Sequence, residues 1–446
     1  MDRSLTLKAL VVAALALALS VPVQMIRGLV AERQARHGEA LAGIAEGWGK
    51  RQTVAGPYLA IPYERRWTEI ERERVDGKPR EKRTERREKA VLRLPAAAVH
   101  WDVDAAIGEK ARGIYKARLY GARLAATGSF ALPARESVED AASRYEWGTP
   151  RLVLGVSDPL GIRAAPQLSA AGASFAFVPG PGDAGLPGGL HAPLTGLALG
   201  APRTLEFAFV LELAGSEAFS LAPLGADASL AMRADWPHPS FQGRFLPASH
   251  ALRGDGFTAR WQVSRFAQGS HAADCASPCK RLGEAISVSF LEPAGLYQQL
   301  ERASKYGFLF LGLTFAAFML FELLRRLAIH PVQYTLVGLA LAMFFLLLTA
   351  LSEHIAFAAA YAVASAACVA VLTAYLARVL GSARLGLAFG AALAGLYGML
   401  YALLQAEDYA LLGGALLLFA LLASVMLATR RVDWYRPGAG RAVPSA

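Results

Sequence analysis

Residues 306 to 428 are apolar almost throughout, and this block limits the chain more than any other feature. A helix of about 20 apolar residues crosses the hydrocarbon layer of a bilayer. Short polar breaks divide the block into stretches at 306–324, 331–351, 355–375, 385–404 and 409–428, and a sixth stretch opens the chain at 5–26. Residues 27–300 have the composition of a water-soluble domain. The expectation is an α+β membrane protein with four parts. These are an N-terminal transmembrane anchor (1–26), a mostly-β domain outside the membrane (27–300), a five-helix transmembrane bundle (301–436) and a tail (437–446).

The first stretch has two readings. Arg3 and Lys8 precede an apolar core, and Ala16, Ala18 and Ser20 offer the small-x-small spacing of a cleaved signal. The following "VPVQMI" is still apolar, which favours an uncleaved anchor. Orientation follows from basic residues in short loops. Arg325 and Arg326, Arg378 and Arg384, and Arg430, Arg431 and Arg436 all fall on the side of the N-terminus. "SEH" (352–354) and "QAED" (405–408) fall on the other side, with the large domain. Much of the net charge of +10 is therefore topological, and a nucleic-acid partner is not expected. The bilayer itself is the first partner.

Cys275 and Cys279, in "CASPC", lie in the exported domain, and Cys368 lies in a span. An oxidising compartment permits a 275–279 disulfide. Free thiols, or two of four zinc ligands, are the alternatives. No second Cys/His pair at metal spacing follows, and His271 alone does not complete a set. No metal and no cofactor are expected.

Residues 27–50 have helical spacing and should carry the first span out of the membrane as a helix. "QTVAGPYLAIPYERRW" then reads as a strand. From Glu64 to Lys89 the chain carries 11 basic and 8 acidic residues around Asp76-Gly77, a hairpin-turn dipeptide. This is a two-sided polar hairpin or a pair of poorly ordered arms. An anionic-lipid patch is the functional alternative, and the mixed signs favour a solvated face. Alternating stretches at 99–105, 116–132, 151–163, 203–215, 230–241, 257–266 and 285–293 point to a sandwich or barrel-like sheet. Trp101, Trp236 and Trp261 read as core aromatics. Residues 164–202, rich in Gly, Pro and Ala, read as a loop or flexible insertion.

Within the apolar block, Gly386, Gly390, Ala394 and Gly398 recur every four residues, as do Ala356, Ala360, Ala364 and Cys368. Such faces let helix backbones approach closely, so these two spans should pack along them. No Asp, Glu, Lys or Arg lies deep in a span, which argues against a proton-coupled transporter. The polar turns are the remaining candidates. Glu353, His354, Glu407 and Asp408 would share one membrane face as a polar cluster able to titrate or bind a cation. The plainer reading, which the spacing favours, is that they are wet turns and helix caps between spans. No G-x-S-x-G, H-E-x-x-H or P-loop motif occurs, so no catalytic residue is assigned and an enzyme is not expected.

Several longer stretches are similar to one family. "GPYLAIPY", "DWPHPSFQGRFLP", "ERASKYGFLFLGLTFAAFMLFE", "HPVQYTLVGLALAMFFLLLTALSEHIAFAAAY" and "YGMLYALLQAEDYALLGGALLLFALLASVMLATRRVDWY" together resemble the CreD family. The resemblance covers nearly the whole chain and is looser between about 160 and 230. It implies a bacterial inner-membrane protein with cytoplasmic termini and a periplasmic domain. It also implies a link to cell-envelope integrity, colicin tolerance and a β-lactam-responsive regulon. It supplies no catalytic residues. Three functional readings follow. One is a non-enzymatic protein whose domain binds or braces a periplasmic or envelope protein. The others are a transporter or channel component with an acidic mouth, and a membrane enzyme or sensor for lipid or cell-wall precursors. The sequence leaves the oligomeric state open.

Overall fold

A computed structural model describes residues 3–75, 78–182, 186, 188–197, 199–268, 285–290, 295–325, 330–405, 412–416, 419, 423, 426 and 427. Asp76, Gly77, Cys275, Cys279, Glu407 and Asp408 lie outside these residues, as does most of the stretch 409–428. The chain forms two compact units, Glu39–Pro293 and Met1–Gly38 with Ala294–Ala446.

The chain opens with α1 (Arg3–Trp48), one helix that passes Pro22 without a break. Its strands follow in order: β1 (Gln52–Val75), β2 (Lys78–Pro95), β3 (Ala98–Arg112), β4 (Tyr115–Leu132), β5 (Ser143–Trp147) and β6 (Arg151–Val156). Next come β7 (Gln167–Ala170), β8 (Ala173–Ala176), β9 (Val178–Pro179), β10 (Gly189–Pro193), β11 (Arg203–Ser216), β12 (Ala218–Pro223) and β13 (Asp227–Ala234). The last are β14 (Ser240–Gly243), β15 (Ser249–Arg253), β16 (Gly256–Val263) and, after α2 (Arg265–Gln268), β17 (Ile286–Ser289). Long helices follow: α3 (Leu296–Arg325), α4 (Pro331–Ser352), α5 (Phe357–Val379) and α6 (Ala383–Gln405), and the described residues beyond them, 412–416, 419, 423, 426 and 427, are helical as well.

Two sheets make the β unit. One runs β14-β17-β12-β1-β6-β10-β9, with β2 and β5 also on β1; the other runs β15-β16-β13-β3-β4-β11-β7-β8. Their inner faces share one core, in which Leu59, Leu152 and Phe219 of the first sheet meet Trp101, Leu124 and Phe209 of the second. Fully burying a side chain of this size contributes about 1.5–3 kcal/mol. In the second sheet β3, β13 and β16 alternate. In β3, Val99, Trp101, Val103 and Ala105 point inward and His100, Asp102 and Asp104 outward. β1 does not alternate at its start, because Val54 through Ile61 are buried on both faces. That two-sided burial explains the continuous apolar reading of "VAGPYLAI".

The charge run is an ordered ribbon. β1 and β2 pair antiparallel from Tyr58↔Pro95 to Val75↔Lys78. The register sets Glu64 opposite Lys89 and Arg65 opposite Glu88, with one like-charged pair, Arg66 opposite Arg87. Opposite charges across a strand pair are favourable.

The stretch 164–202 corrects the expectation of a loop. β7 and β8 form a hairpin on the edge of the second sheet, turning at Ala171 (φ 51°) and Gly172 (φ 73°), and β9 and β10 join the first sheet. Part of 151–163 and 230–241 is not strand. β6 stops at Val156 and a single 3-10 turn covers Pro159–Gly161, while Asp235–Pro239 links two strands. β5, β12 and β15 were not anticipated. β12 is short and lies parallel to β1, so neither hairpin chemistry nor alternation marks it.

In the helical unit, four helices among the described residues are long and apolar enough to cross a membrane: Leu10–Trp48, α4, α5 and α6. α3 occupies the place of the stretch 306–324. α4 starts as the His-Pro pair suggests. His330 Nδ1 accepts the Val332 N–H (3.3 Å), and the Gln333 Oε1 accepts the His330 N–H (3.2 Å), a reciprocal cap with Pro331 in the first turn. Tyr397 ties the bundle together. Its ring meets Phe310 of α3 (4.7 Å) and Phe344 of α4 (4.5 Å), its carbonyl accepts the Tyr361 hydroxyl (2.7 Å), and its own hydroxyl donates to Cys368 Sγ (3.2 Å).

The small-residue faces behave differently from the expectation. A Cβ on Gly386 would lie 2.6 Å from the Ala377 Cα, and one on Gly390 would lie 2.1 Å from Thr373 Oγ1. Ala394 and Gly398 are exposed, and a Cβ on Gly398 would meet nothing within 4 Å. Ala360, Ala364 and Cys368 are buried, with the Cys368 thiol donating to the Ala340 carbonyl of α4 (3.4 Å). The two glycines at 386 and 390 thus meet α5 directly, whereas further along the helices the contact passes through Tyr361, Tyr397 and Tyr401 rather than through Ala394 and Gly398. Overpacking of a tight contact costs about 1–3 kcal/mol and sometimes more. Gly390→Leu should lower the yield of monodisperse protein in detergent, whereas Gly398→Leu should leave it unchanged.

Candidate functional site

Sequence reasoning pointed to the turn after α4. Ser352 ends that helix, its hydroxyl donating to the Leu348 (2.7 Å) and Thr349 (3.1 Å) carbonyls. The His354 and Ile355 N–H groups both donate to Leu351 O (2.9 and 3.0 Å), so the chain reverses tightly before α5. This turn separates the two candidates. His354 is exposed. The Glu353 side chain is only 11% exposed and faces α1, with Oε2 3.7 Å from Arg33 Nη1. Its Oε1 is buried without a hydrogen-bond partner. The two neighbours thus differ in exposure, and the other two members of the cluster, Glu407 and Asp408, lie outside the described residues. Among the described residues no group of three His, Cys, Asp or Glu is placed to hold a metal ion.

The structure adds residues that the sequence did not single out. Val30, Arg33 and His37 recur along α1. Val30 is buried, Arg33 faces Glu353, and the His37 ring lies 5.1 Å from that of Tyr297 on α3. One turn nearer the apolar stretch, the Arg27 guanidinium sits 5.8 Å from the centroid of Phe308. The i, i+3, i+7 spacing of 30, 33 and 37 was the available signal. Half-exposed ion pairs are modest, so a double-mutant cycle of Arg33→Met and Glu353→Gln should give a coupling of about 1 kcal/mol. Thermal unfolding in nanodiscs measures it, and additive single effects would leave the pair without energetic weight.

A second constellation closes the start of the β unit. Trp48, the last residue of α1, lies between two cations, Lys110 Nζ at 3.7 Å and the Arg163 guanidinium at 4.2 Å from its ring. Arg163 also donates to the Trp48 carbonyl (2.7 Å), where a cation suits the helix C-terminus. Gln52 follows, 1% exposed and fully engaged. Its Nε2 donates to the Asp158 (3.0 Å) and Ala214 (3.1 Å) carbonyls, and its Oε1 accepts from the Asp158 N–H and Ser157 hydroxyl (both 3.3 Å). A Cβ on Gly161 would lie 2.2 Å from the Ala214 oxygen, so only glycine fits there. Gln52 thus ties the start of β1 to β11 and to the Ser157–Asp158 turn through contacts wholly inside the protein.

The family described as "Inner membrane protein CreD" matches residues 4–435. The chain is also 33% identical over 421 residues to the inner membrane protein CreD of Escherichia coli (strain K12), covering 94% of this chain and 91% of that one. The chain belongs to the CreD family. It is thus an inner-membrane protein, in agreement with its apolar helices.

Parts of the CreD-like stretches fall on structural joints. "GPYLAIPY" is the doubly buried part of β1. "DWPHPSFQGRFLP" runs from β13 in one sheet through β14 in the other toward β15, with the Trp236 indole donating to the His238 carbonyl (2.8 Å) and stacked under Arg118 (4.1 Å). "SEH" is the turn bearing Glu353.

The outer face of the eight-stranded sheet presents a broad accessible surface. Register aligns Gln262, Ser229, His100, Thr127, Ala208 and Ser169 across six strands. A second row, Arg233, Asp104, Arg123 and Glu212, alternates in charge, and Arg233 donates to Asp104 (2.5 Å). Two shallow troughs of about 360 and 780 Å³ share Thr127 and Gly128 on this face. His100 Nδ1 and Ser229 Oγ lie 2.8 Å apart there, on open sheet. Such a surface offers polar contacts without the dry enclosure that acid–base chemistry uses.

The base of the charged ribbon carries a half-buried aromatic group, in which Tyr63 lies 5.7 Å from Tyr145 and 5.0 Å from Trp147. Trp147 donates to Glu139 (2.6 Å). This bond, and then Arg135, holds the Glu139 carboxyl below its ordinary range. A depressed carboxylate stabilises the fold above its unfolded pKa and loses that effect as pH falls through the folded value. Trp147 emission should therefore stay constant from neutral pH down to the ordinary Glu range and shift only below it. A shift at or above that range would contradict the bond.

Proposed function

We propose that this CreD family protein supports cell-envelope integrity and tolerance to envelope stress and colicins without catalysis. In this reading the β unit lies in the periplasm, both termini lie in the cytoplasm, and the outer face of the eight-stranded sheet engages a periplasmic or envelope protein. The observation that carries the reading is that face. It spans six strands, is lined by small and hydroxylated side chains, and alternates in charge along the Arg233 row. Interfaces of this polar type are typical of transient partners. The basic residues of the short loops support the orientation, since all fall on the side of the N-terminus.

The test uses the full chain in its own membrane. A photo-crosslinking residue at Thr127, Gln262 or Ser169 should yield one specific protein adduct. Thr127→Arg and Ala208→Arg should abolish the adduct and lower envelope-stress tolerance at equal protein level. Glu353→Gln, His354→Ala, Glu407→Gln and Asp408→Gln should keep that tolerance. Loss of tolerance in the turn variants, with the sheet-face variants inert, would move the function to the polar turns. Reporter fusions after residues 180 and 354 should both report the periplasm, and a cytoplasmic signal from either would overturn the orientation.

A further inference from the structure

The charged ribbon has an open edge. Among the described residues β2 pairs with β1 and with no other strand, and from Glu81 to Lys89 its side chains are exposed, apart from the half-buried Thr84. Such an edge offers a row of backbone N–H and C=O groups to any extended chain. Charges on an edge strand ordinarily keep other strands away, and charges of a single sign repel a copy best. Here both signs are present, and they are ordered.

Residues 81–89 read Glu-Lys-Arg-Thr-Glu-Arg-Arg-Glu-Lys, and Thr84 is the only uncharged residue among them. Counted outward from Thr84, Arg83 mirrors Glu85 and Glu81 mirrors Arg87. The segment is thus its own complement about one point. Around a twofold axis residue i meets residue j and j meets i. Directly opposed residues also share a face of the sheet, so in an antiparallel pair of identical strands one residue must meet its own copy at the axis. Centring on Arg83 would set Arg83 against itself and Glu81 against Glu85. Centring on Glu85 would set Glu85 against itself and Arg83 against Arg87. Centring on Thr84 sets threonine against threonine, a favourable pair, and opposes Arg83 to Glu85 and Glu81 to Arg87, each twice. One like-charged pair remains, Lys82 with Arg86, on the other face, where Arg86 already donates to Glu69 of its own ribbon (2.7 Å). A foreign strand of one sign would fit worse. An acidic one would oppose Glu81, Glu85 and Glu88, and a basic one the five cations of the segment. Within the ribbon, Arg83 lies opposite Ile70 and Glu85 opposite Thr68, so neither charge is matched across β1.

We propose that β2 pairs antiparallel with β2 of a second copy of this chain, centred on Thr84, joining two ribbons into one four-stranded sheet in the order β1-β2-β2-β1. Arg83 of each copy then faces Glu85 of the other. This edge belongs to the nine-stranded sheet, not to the sheet face assigned to a partner above.

The test uses the full chain, co-expressed in its own membrane with two different affinity tags. Unaltered copies should co-purify. Arg83→Glu alone sets acid against acid at both symmetric positions, and Glu85→Arg alone sets base against base. Each should lower co-purification about tenfold, because two cross-strand pairs change from attraction to repulsion. Co-expressing an Arg83→Glu copy with a Glu85→Arg copy should restore it, as should placing both changes in one chain. Thr84→Cys should give a reducible dimer on oxidation, above the background of the chain's own three cysteines, whereas Thr68→Cys on β1 should not. Co-purification that ignores both single changes, or a loss that the mixed copies fail to restore, overturns the proposal. So does a Thr84→Cys chain that crosslinks to a different protein or to nothing.

Discussion

Trp101→Ala should destabilise the β unit by about 3–5 kcal/mol, the usual cost of emptying a buried aromatic site. Trp101 is 0% exposed at the centre of the eight-stranded sheet, between Leu230 and Ala126 in register, and its ring meets Phe209 edge-on at 5.6 Å. Its indole N–H, like that of Trp261, is buried without an acceptor. An unsatisfied buried donor costs about 1–3 kcal/mol, so removing it offsets lost volume. Trp101→Phe should therefore cost far less than Trp101→Ala. In a unit of this size, Trp101→Ala should lower the melting temperature by roughly 10 °C. Equal losses in the two variants would mean that the indole N–H has a partner in solution.

Gly338→Leu should prevent the N-terminal helix from seating in the helical unit. A Cβ there would stand 2.4 Å from Leu19 Cδ1, 3.0 Å from Phe315 Cζ and 3.3 Å from Leu311 Cδ1, so α1, α3 and α4 meet at this glycine. A membrane bundle has little hydrophobic gain to offset a lost contact, because lipid is as apolar as the side chains. The expected outcome is aggregation, or proteolysis of residues 1–26, in mild detergent. Leu19→Ala in the same chain should restore much of the folded yield, because it removes the atom that clashes. Failure of the second substitution to rescue would show that Phe315 or Leu311 sets the limit instead.

Long periodic segments were the most readable part of the sequence. The helix through residue 48, strands β3, β4, β11 and β16, the His330-Pro331 helix start and the Glu301–Lys305 pair (2.8 Å) all follow from local pattern. What escaped depends on partners distant in sequence. β12 is recognisable only beside β1, which it joins 167 residues later in register. Arg33 has a role only because Glu353 turns toward it across 320 positions. Gln52 reads as an ordinary strand residue until Asp158 and Ala214 surround it. The candidate turn shows the same limit. Adjacent Glu353 and His354 suggested a shared site, yet the reversal at Leu351 sends one inward and leaves the other in solvent.

The ribbon of β1 and β2 has a further property. A strand pair that is polar on both sides has no greasy face to tell it which residue belongs opposite which, and such pairs slide easily. Here the signs of the side chains supply the missing ruler. Shift one strand by a single position and Glu64 confronts Glu88, Arg65 confronts Arg87 and Arg66 confronts Arg86, where the native alignment sets Glu64 against Lys89 and Arg65 against Glu88. The alternation of acid and base along this arm is thus a vernier scale, legible at one setting and self-repelling at the next.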